Sequence, residues 1–339
     1  MSKRLDVAVI GAESPVGSAI MEMLAARRFP AAEISALSLE PEDDATTEFA
    51  GRSLLVEDAA SFDFSQVQLA FLCGEDPQFA GVAERAADAG CVVVDASGMA
   101  WQDSQIPRVI AEINPRDLAR FNDRGIVGAP DRLLVPLALA TQPLLALGTL
   151  RRITATAMVP ASDGGRAALE DLARETTALL NARHYQRTHF PQQIAFNVIG
   201  QIGLAGAEGR TERESTIVAD LRELLQLPEL AVGIHLVQAA SFYGYGIAVE
   251  LAFDGPIDLL AAQTALRAAS GLVLFDSLDP AEIPSPVADA AAEPAVRVSR
   301  IRPGAGPESL SLWLTTDNIR RAAALNAVVC AEILLRDYL

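Results

Sequence analysis

The sequence predicts an α/β protein: a doubly wound parallel sheet over residues 1–128, joined by a C-terminal helix at 316–339, and an α+β second domain with a mixed sheet over residues 129–315. Three observations carry this. Short Val-, Ile- and Leu-rich runs alternate with helically spaced apolar residues in the first part of the chain. Beyond it the strands lengthen and are joined by longer excursions. With 339 residues, 50% of them hydrophobic, the chain can bury two cores without staples.

In chain order, "RLDVAVIGA" reads as a strand ending at Gly11, and "SPVGSAIMEMLAARRF" as the helix it feeds. Further strands are expected at "ISALSLE", "SLLVED", "VQLAFLCG" and "CVVVDAS", with the helix "PQFAGVAERAADAG" before the last. This alternation implies parallel pairing through right-handed crossovers. "VGAPDRLLVPLALATQPLLALG" reads as the end of a buried strand, a turn and an apolar helix. "LRRITATAMVPAS" and "LAVGIHLVQAASFYGYGIAVELAFD" read as long strands, with "RAALEDLARETTALLN" and "ERESTIVADLRELLQ" as helices between them. The Pro- and Ala-rich stretch from Pro280 to Ser309 reads as loops between short strands. "TTDNIRRAAALNAVVCAEILLRDYL" closes the chain as a helix with Asp317 at its N-cap.

"GAESPVG" sets Gly11 and Gly17 at a strand-to-helix turn, where a pyrophosphate can sit on the free N–H groups of the helix N-terminus. The middle glycine of the usual pattern is absent, with Ser14 and Pro15 in that stretch. Gly11, Ser14, Pro15, Val16 and Gly17 are therefore candidate cofactor contacts, a purely structural turn being the alternative. At the end of the second strand, "ALSLEPEDD" supplies Glu40, Glu42, Asp43 and Asp44. Acidic side chains suit a ribose 2′-hydroxyl and repel a 2′-phosphate, which favours NAD over NADP; an acidic surface loop is the other reading.

Several motifs carry a resemblance. "GAESPVG" is similar to a Gly-Ala-Thr-Gly-x-Val-Gly loop, "FLCGED" to a Ser-Ala-Gly-Gly segment, and "VVVDASGMAW" with "RVIAEINP" to Val-Ile-Asp-Asn-Ser-Ser and Val-Pro-Glu-Val-Asn-Pro stretches. "ASDGGRAALEDL", "NVIGQIG" and "DNIRRAAALNAVVCAEILL" follow in matching order. Together they resemble the aspartate-semialdehyde dehydrogenase family, and within it the USG-1-like branch, along nearly the whole chain. The resemblance implies a Rossmann-type NAD(P)-binding domain with further cofactor contacts at Cys73, Gly74 and Asn318. It also implies a homodimer formed through the second domain, with the strands around 232–254 as the shared surface.

The family's reaction implies a thiolate nucleophile, a histidine proton carrier and arginine contacts for a charged substrate. Here Arg132 of "VGAPDRLL" stands in the nucleophile's place, and a guanidinium offers donors only and keeps its proton. Val159 stands where the family has a glutamine, Gln238 where it has an arginine, and Tyr245 where it has the histidine. Thr216 takes a lysine's place, Trp101 falls where an arginine would meet phosphate, and Glu214 is retained. No catalytic residue is assigned. The resemblance instead implies a pocket of Arg132, Glu214 and Gln238 able to hold a small carboxylate or phosphate.

The three cysteines, Cys73, Cys91 and Cys330, show no disulfide or metal spacing, which suits a reducing compartment. Cys73 alone sits near the expected crevice, and all three read as core residues. His184 and His189 lack partners at ligand spacing and His235 reads as a structural strand histidine, so no metal is expected. A net charge of -17 disfavours nucleic acid and anionic membranes as partners. No apolar run reaches spanning length and no leader precedes the first strand, so a cytoplasmic protein is expected. Three functions remain: a degenerate paralogue acting by nucleotide or anion binding, an active NAD(P)-dependent oxidoreductase on another aldehyde or acyl substrate, and a non-catalytic interaction subunit. Losing nucleophile, proton carrier and arginine together favours the first.

Overall fold

The computed structural model describes residues 4–74, 76–98, 103–289 and 293–339; Trp101 lies outside them. The chain divides into two compact units, residues 1–132 with 322–339, and residues 133–321. The first unit contains β1 (Leu5–Ile10), α1 (Pro15–Ala26), β2 (Ala31–Ser38), β3 (Thr46–Phe49), β4 (Arg52–Asp58), β5 (Leu69–Leu72), α2 (Gln78–Asp88), β6 (Val92–Asp95) and β7 (Ile126–Val127). The second contains α3 (Leu134–Thr141), β8 (Leu150–Val159), α4 (Gly165–Leu180), β9 (Val198–Ile199), α5 (Glu212–Leu224), β10 (Ala231–Ala239), β11 (Tyr245–Phe253), α6 (Leu259–Ala268), β12 (Leu272–Phe275), α7 (Pro286–Asp289), β13 (Val296–Pro303) and β14 (Ser309–Thr316). The last helix, α8 (Asn326–Asp337), returns to the first unit.

The first sheet runs β3-β4-β2-β1-β5-β6-β7. All neighbours are parallel except the β3–β4 hairpin. Without β3 this is the doubly wound dinucleotide order, in which the chain reverses its winding between β1 and β5 and opens a crevice at their carboxyl ends. The central strands are buried end to end at Val7–Ile10, Leu69–Leu72 and Val92–Asp95, as a parallel sheet covered on both faces requires. Phe79, Val82, Ala83 and Ala86 of α2 join the core formed with Ile10, Leu37, Leu72 and Val93. α8 packs on α1 and β6, and Asn326 fixes its start by accepting from the Ala111 amide and donating to the Val109 carbonyl.

The second sheet is mixed, in the order β12-β13-β14-β11-β8-β10-β9. β8 pairs in parallel with β10, and antiparallel with β11. The run from Leu230 to Asp254, expected as one strand, is two. It breaks at 240–244, where the amides of Ala161 and Ser162 hold the carbonyls of Ser241 and Phe242 and Gly244 takes φ +84°. β10 and β11 therefore flank β8 on opposite sides. The C-terminal segment is not uniform either. Asp317 does cap it, accepting from the amides of Ile319 and Arg320, but Arg320–Leu325 is a π-helical stretch before α8.

Two buried carboxylates one turn apart on α4 organise the segment that follows it. Asp171 accepts from the amides of Thr188, His189 and Phe190 and from the hydroxyls of Tyr185 and Thr188, at 2.8–3.1 Å. Glu175 accepts from the amides of Ile194 and Ala195 and pairs with Arg187 at 3.6 Å. Phe190, Ile194 and Ala195 are thereby seated on Ala168 and Leu172. Burial pushes the Asp171 pKa up, but the Thr188 and Phe190 amides, the Tyr185 hydroxyl and the His189 amide outweigh it and hold the carboxyl well below the usual range. A depressed folded pKa gives stability that is fully present above the unfolded value and is lost progressively as pH falls from there through the folded value.

Asp171→Asn is expected to cost about 2 kcal/mol or more at neutral pH, since each hydrogen bond to a charged group contributes roughly 1.5–3 kcal/mol. The gap between the variant and the parent should close as pH falls below about 4. Denaturant titrations across that range check this, and a gap independent of pH would contradict it.

Candidate functional site

Each unit carries its own set of site residues. In the first, the turn after β1 is built on Gly11, at φ +80°, where a Cβ would stand 2.8 Å from the Gly74 amide nitrogen. A Cβ on Gly17 would stand 2.3 Å from the Gly11 carbonyl oxygen. The amides of Gly11 and Ala12 both donate to the Leu37 carbonyl, at 2.7 and 3.1 Å, anchoring the turn to β2. Ser14 is the N-cap of α1: its Oγ accepts from the Gly17 amide at 2.9 Å and donates to the Cys73 carbonyl at 3.1 Å. The turn that follows β1 is thus tied to β2 and to the end of β5, across the crevice.

The donors left for a ligand follow from this. Pro15 has no N–H, Gly17 is capped, and the Ser18 amide bonds the Ser14 carbonyl. Among the described residues, the amides of Glu13 and Val16 have no protein acceptor, and Val16 is only 2% exposed. A pyrophosphate fits such a pair at a helix N-terminus, and the buried Val16 amide is the orphan it would satisfy.

At the end of β6, Asp95 is buried and its Oδ1 accepts from the amide and hydroxyl of Ser97 at 2.7 and 2.6 Å. Arg132 is buried as well, and its Nη2 donates to the Ser97 carbonyl at 3.0 Å. Cys73, one residue beyond β5, is fully buried. Burial, then the charges of Asp95 and Glu13, push its thiol well above the ordinary cysteine range, with Arg132 opposing them. Burial also pushes Cys91 up to about 12 and raises Cys330, the latter helped by Glu112. All three thiols are free, buried and held protonated.

In the second unit, Val159 ends β8 and its carbonyl accepts from Gln238 Nε2 at 2.9 Å, across the β8–β10 pairing. Tyr245 is fully buried and its hydroxyl donates to Asp163 Oδ1. Asp163 Oδ2 takes Arg213 Nη1 at 2.5 Å. Glu214 forms a capping box with Thr211 on α5: one oxygen accepts from the Thr211 amide at 2.9 Å, the other from the Leu236 amide at 3.1 Å. Asn318 is fully buried, accepting from the Gly244 amide at 3.0 Å and exchanging hydrogen bonds with the Ser162 hydroxyl.

The structure therefore gathers Gly11, Ser14, Pro15, Val16, Gly17, Cys73, Gly74 and Arg132 in the first unit. Val159, Gln238, Tyr245, Glu214 and Asn318 lie in the second. Glu214 and Asn318 hold backbone amides there. Sequence reasoning passed over Glu13, Ser97, Asp163 and Arg213. Asp163 stood in view inside "ASDGG", and nothing in its spacing shows that a tyrosine 82 positions later would find it. His235, expected as a structural histidine, is exposed on β10. Among the described residues no group of His, Cys, Asp or Glu could hold a metal ion, and no helix is long and apolar enough to cross a membrane.

The family model for the semialdehyde dehydrogenase NAD binding domain matches residues 6–121, and that for the semialdehyde dehydrogenase dimerisation domain matches residues 141–321. The chain belongs to the semialdehyde dehydrogenase family. Its similarity to the USG-1 protein homolog of Azotobacter vinelandii is 37% identity over 99% of both chains. It is 34% identical to aspartate-semialdehyde dehydrogenase 2 of Vibrio cholerae over the whole of both chains. Among solved structures, aspartate semialdehyde dehydrogenase II of Vibrio cholerae complexed with ASA superposes with a TM-score of 0.94 at 33% identity, covering 100% of each chain. A probable aspartate-semialdehyde dehydrogenase of Pseudomonas aeruginosa gives 0.92 at 36% identity, covering 99% of this chain and 100% of that one. The Candida albicans enzyme with NADP, 16% identical with a TM-score of 0.70 over 98% of each chain, shares the fold.

The state of the thiols can be read directly. A thiol-specific disulfide reagent should label none of the three cysteines rapidly in the native protein at mildly alkaline pH, and all three after denaturation. Rapid native labelling of Cys73 would contradict the geometry described.

Proposed function

We propose that this semialdehyde dehydrogenase family member has lost the thiol-dependent reaction and acts by binding a nucleotide and a small anion. The observation that carries this is the turn ahead of α3. The residue that the family resemblance aligns with the nucleophile is Arg132, buried and bonded to the Ser97 carbonyl, while the thiol at the strand ends, Cys73, is fully buried. Attack on an aldehyde or acyl phosphate needs an exposed sulfur anion, which neither residue supplies. Tyr245, aligned with the proton carrier, is committed as a hydrogen-bond donor to the Asp163 carboxylate. Gln238, aligned with the arginine, is turned to the Val159 carbonyl.

What the chain keeps supports binding. The crevice at β1 and β5, the Val16 and Glu13 amides and the glycine turn suit a dinucleotide, which would supply hydride chemistry where bound. A carboxylate at the end of β2 favours NAD over NADP, and Arg132 favours a carboxylate or phosphate. The dimerisation-domain match supports a homodimer. So does the open sheet face, where Thr154, Met158, His235 and Ala248 are exposed in the single chain. Three reduced thiols support a cytoplasmic setting.

Calorimetry should detect dinucleotide binding, while aspartate semialdehyde with phosphate and either NAD⁺ or NADP⁺ gives no turnover. Arg132→Ala should weaken binding of inorganic phosphate or aspartate by about tenfold, the scale of one charge-assisted hydrogen bond. Arg132→Cys alone should not create activity, because Tyr245 and Gln238 remain. Turnover by the unmodified protein at about 1 s⁻¹ or faster, the ordinary enzymatic range, would contradict the proposal.

A further inference from the structure

In a dinucleotide fold the ribose is usually read by an acidic residue at the end of the second strand. Here β2 ends in Ser38, which is buried, and its hydroxyl donates to Glu13 Oε1 at 2.6 Å. The carboxylate at this strand end thus comes from the glycine turn. Its placement is fixed by backbone: the amides of Gly11 and Ala12 both grip the Leu37 carbonyl, so the next residue is carried over the end of β2. One oxygen of Glu13 is held by Ser38, and the exposed residue has its second oxygen free to accept from a ligand among the described contacts.

The surrounding charge is mainly negative. β4 lies beside β2 with Asp58 opposite Ser38 and Glu57 next to it. Arg85 reaches this region, but its terminal nitrogens donate to the carbonyls of Ala59 and Ala60. Glu40, Glu42, Asp43 and Asp44 are exposed and lie beyond the strand. We infer that Glu13, held by Ser38, is the residue that selects the cofactor, accepting from the adenosine 2′-hydroxyl of NAD and excluding the 2′-phosphate of NADP. The inference rests on the nucleotide-binding reading of the crevice.

Calorimetric titration of the full chain with NAD⁺ and with NADP⁺ tests it, with Glu13→Gln and Glu40→Gln compared and thermal midpoints confirming that both fold. The parent should prefer NAD⁺ by about tenfold or more, the scale of a like-charge clash at a recognition site. Glu13→Gln should weaken NAD⁺ by about threefold to tenfold and bring the two affinities close together, whereas Glu40→Gln should shift their ratio by less than about twofold. An unchanged ratio in Glu13→Gln, or a ratio that moves with Glu40 instead, overturns the inference and leaves nucleotide binding standing. If neither dinucleotide binds the parent, both fall.

Discussion

A buried guanidinium bonded to a backbone carbonyl sets the terms for the first unit. Arg132 keeps its charge at any usable pH, and the Ser97 carbonyl that accepts from it is positioned in turn by the bonds from Ser97 to Asp95. Burying a charge is costly, and the Ser97 carbonyl offsets part of that cost by accepting from the guanidinium. Asp95 and Arg132 act on Cys73 with opposite sign, and burial outweighs both. The end of the parallel sheet therefore disfavours a thiolate at Cys73.

The second unit has a similar bias toward fixed arrangements. Asp163 receives the Tyr245 hydroxyl on one oxygen and Arg213 on the other. Glu214 is committed to two backbone amides, and Asn318 pins the Gly244 corner that separates β10 from β11. Of these, the family resemblance places substrate chemistry at Glu214, the proton carrier at Tyr245 and a cofactor contact at Asn318. Here Glu214 and Asn318 support backbone, and Tyr245 is tied to Asp163.

The fold was legible because its signals are local. Apolar runs bounded by Gly and Pro gave the strands, and helical spacing gave α1, α2, α4, α5 and α8. The split at 240–244 was not, since it depends on hydrogen bonds from Ala161 and Ser162, far away in sequence. The site was legible where a motif fixes backbone, as at Gly11, Ser14 and Gly17, whose roles follow from turn geometry. It was illegible where a side chain meets a distant partner: Glu13 with Ser38, Asp163 with Tyr245, Asp171 with the amides of 188–190. For Glu13 the acidic run after Ser38 drew attention away from the turn, although only the turn is anchored to the strand end.

The proposed loss of covalent chemistry is tested most directly by intact-mass spectrometry of the protein after incubation with aspartate semialdehyde and NAD⁺, quenched in acid to preserve thioesters. The protein mass is predicted to stay unchanged. An added mass equal to an aspartyl acyl group, mapped to Cys73, would contradict the account.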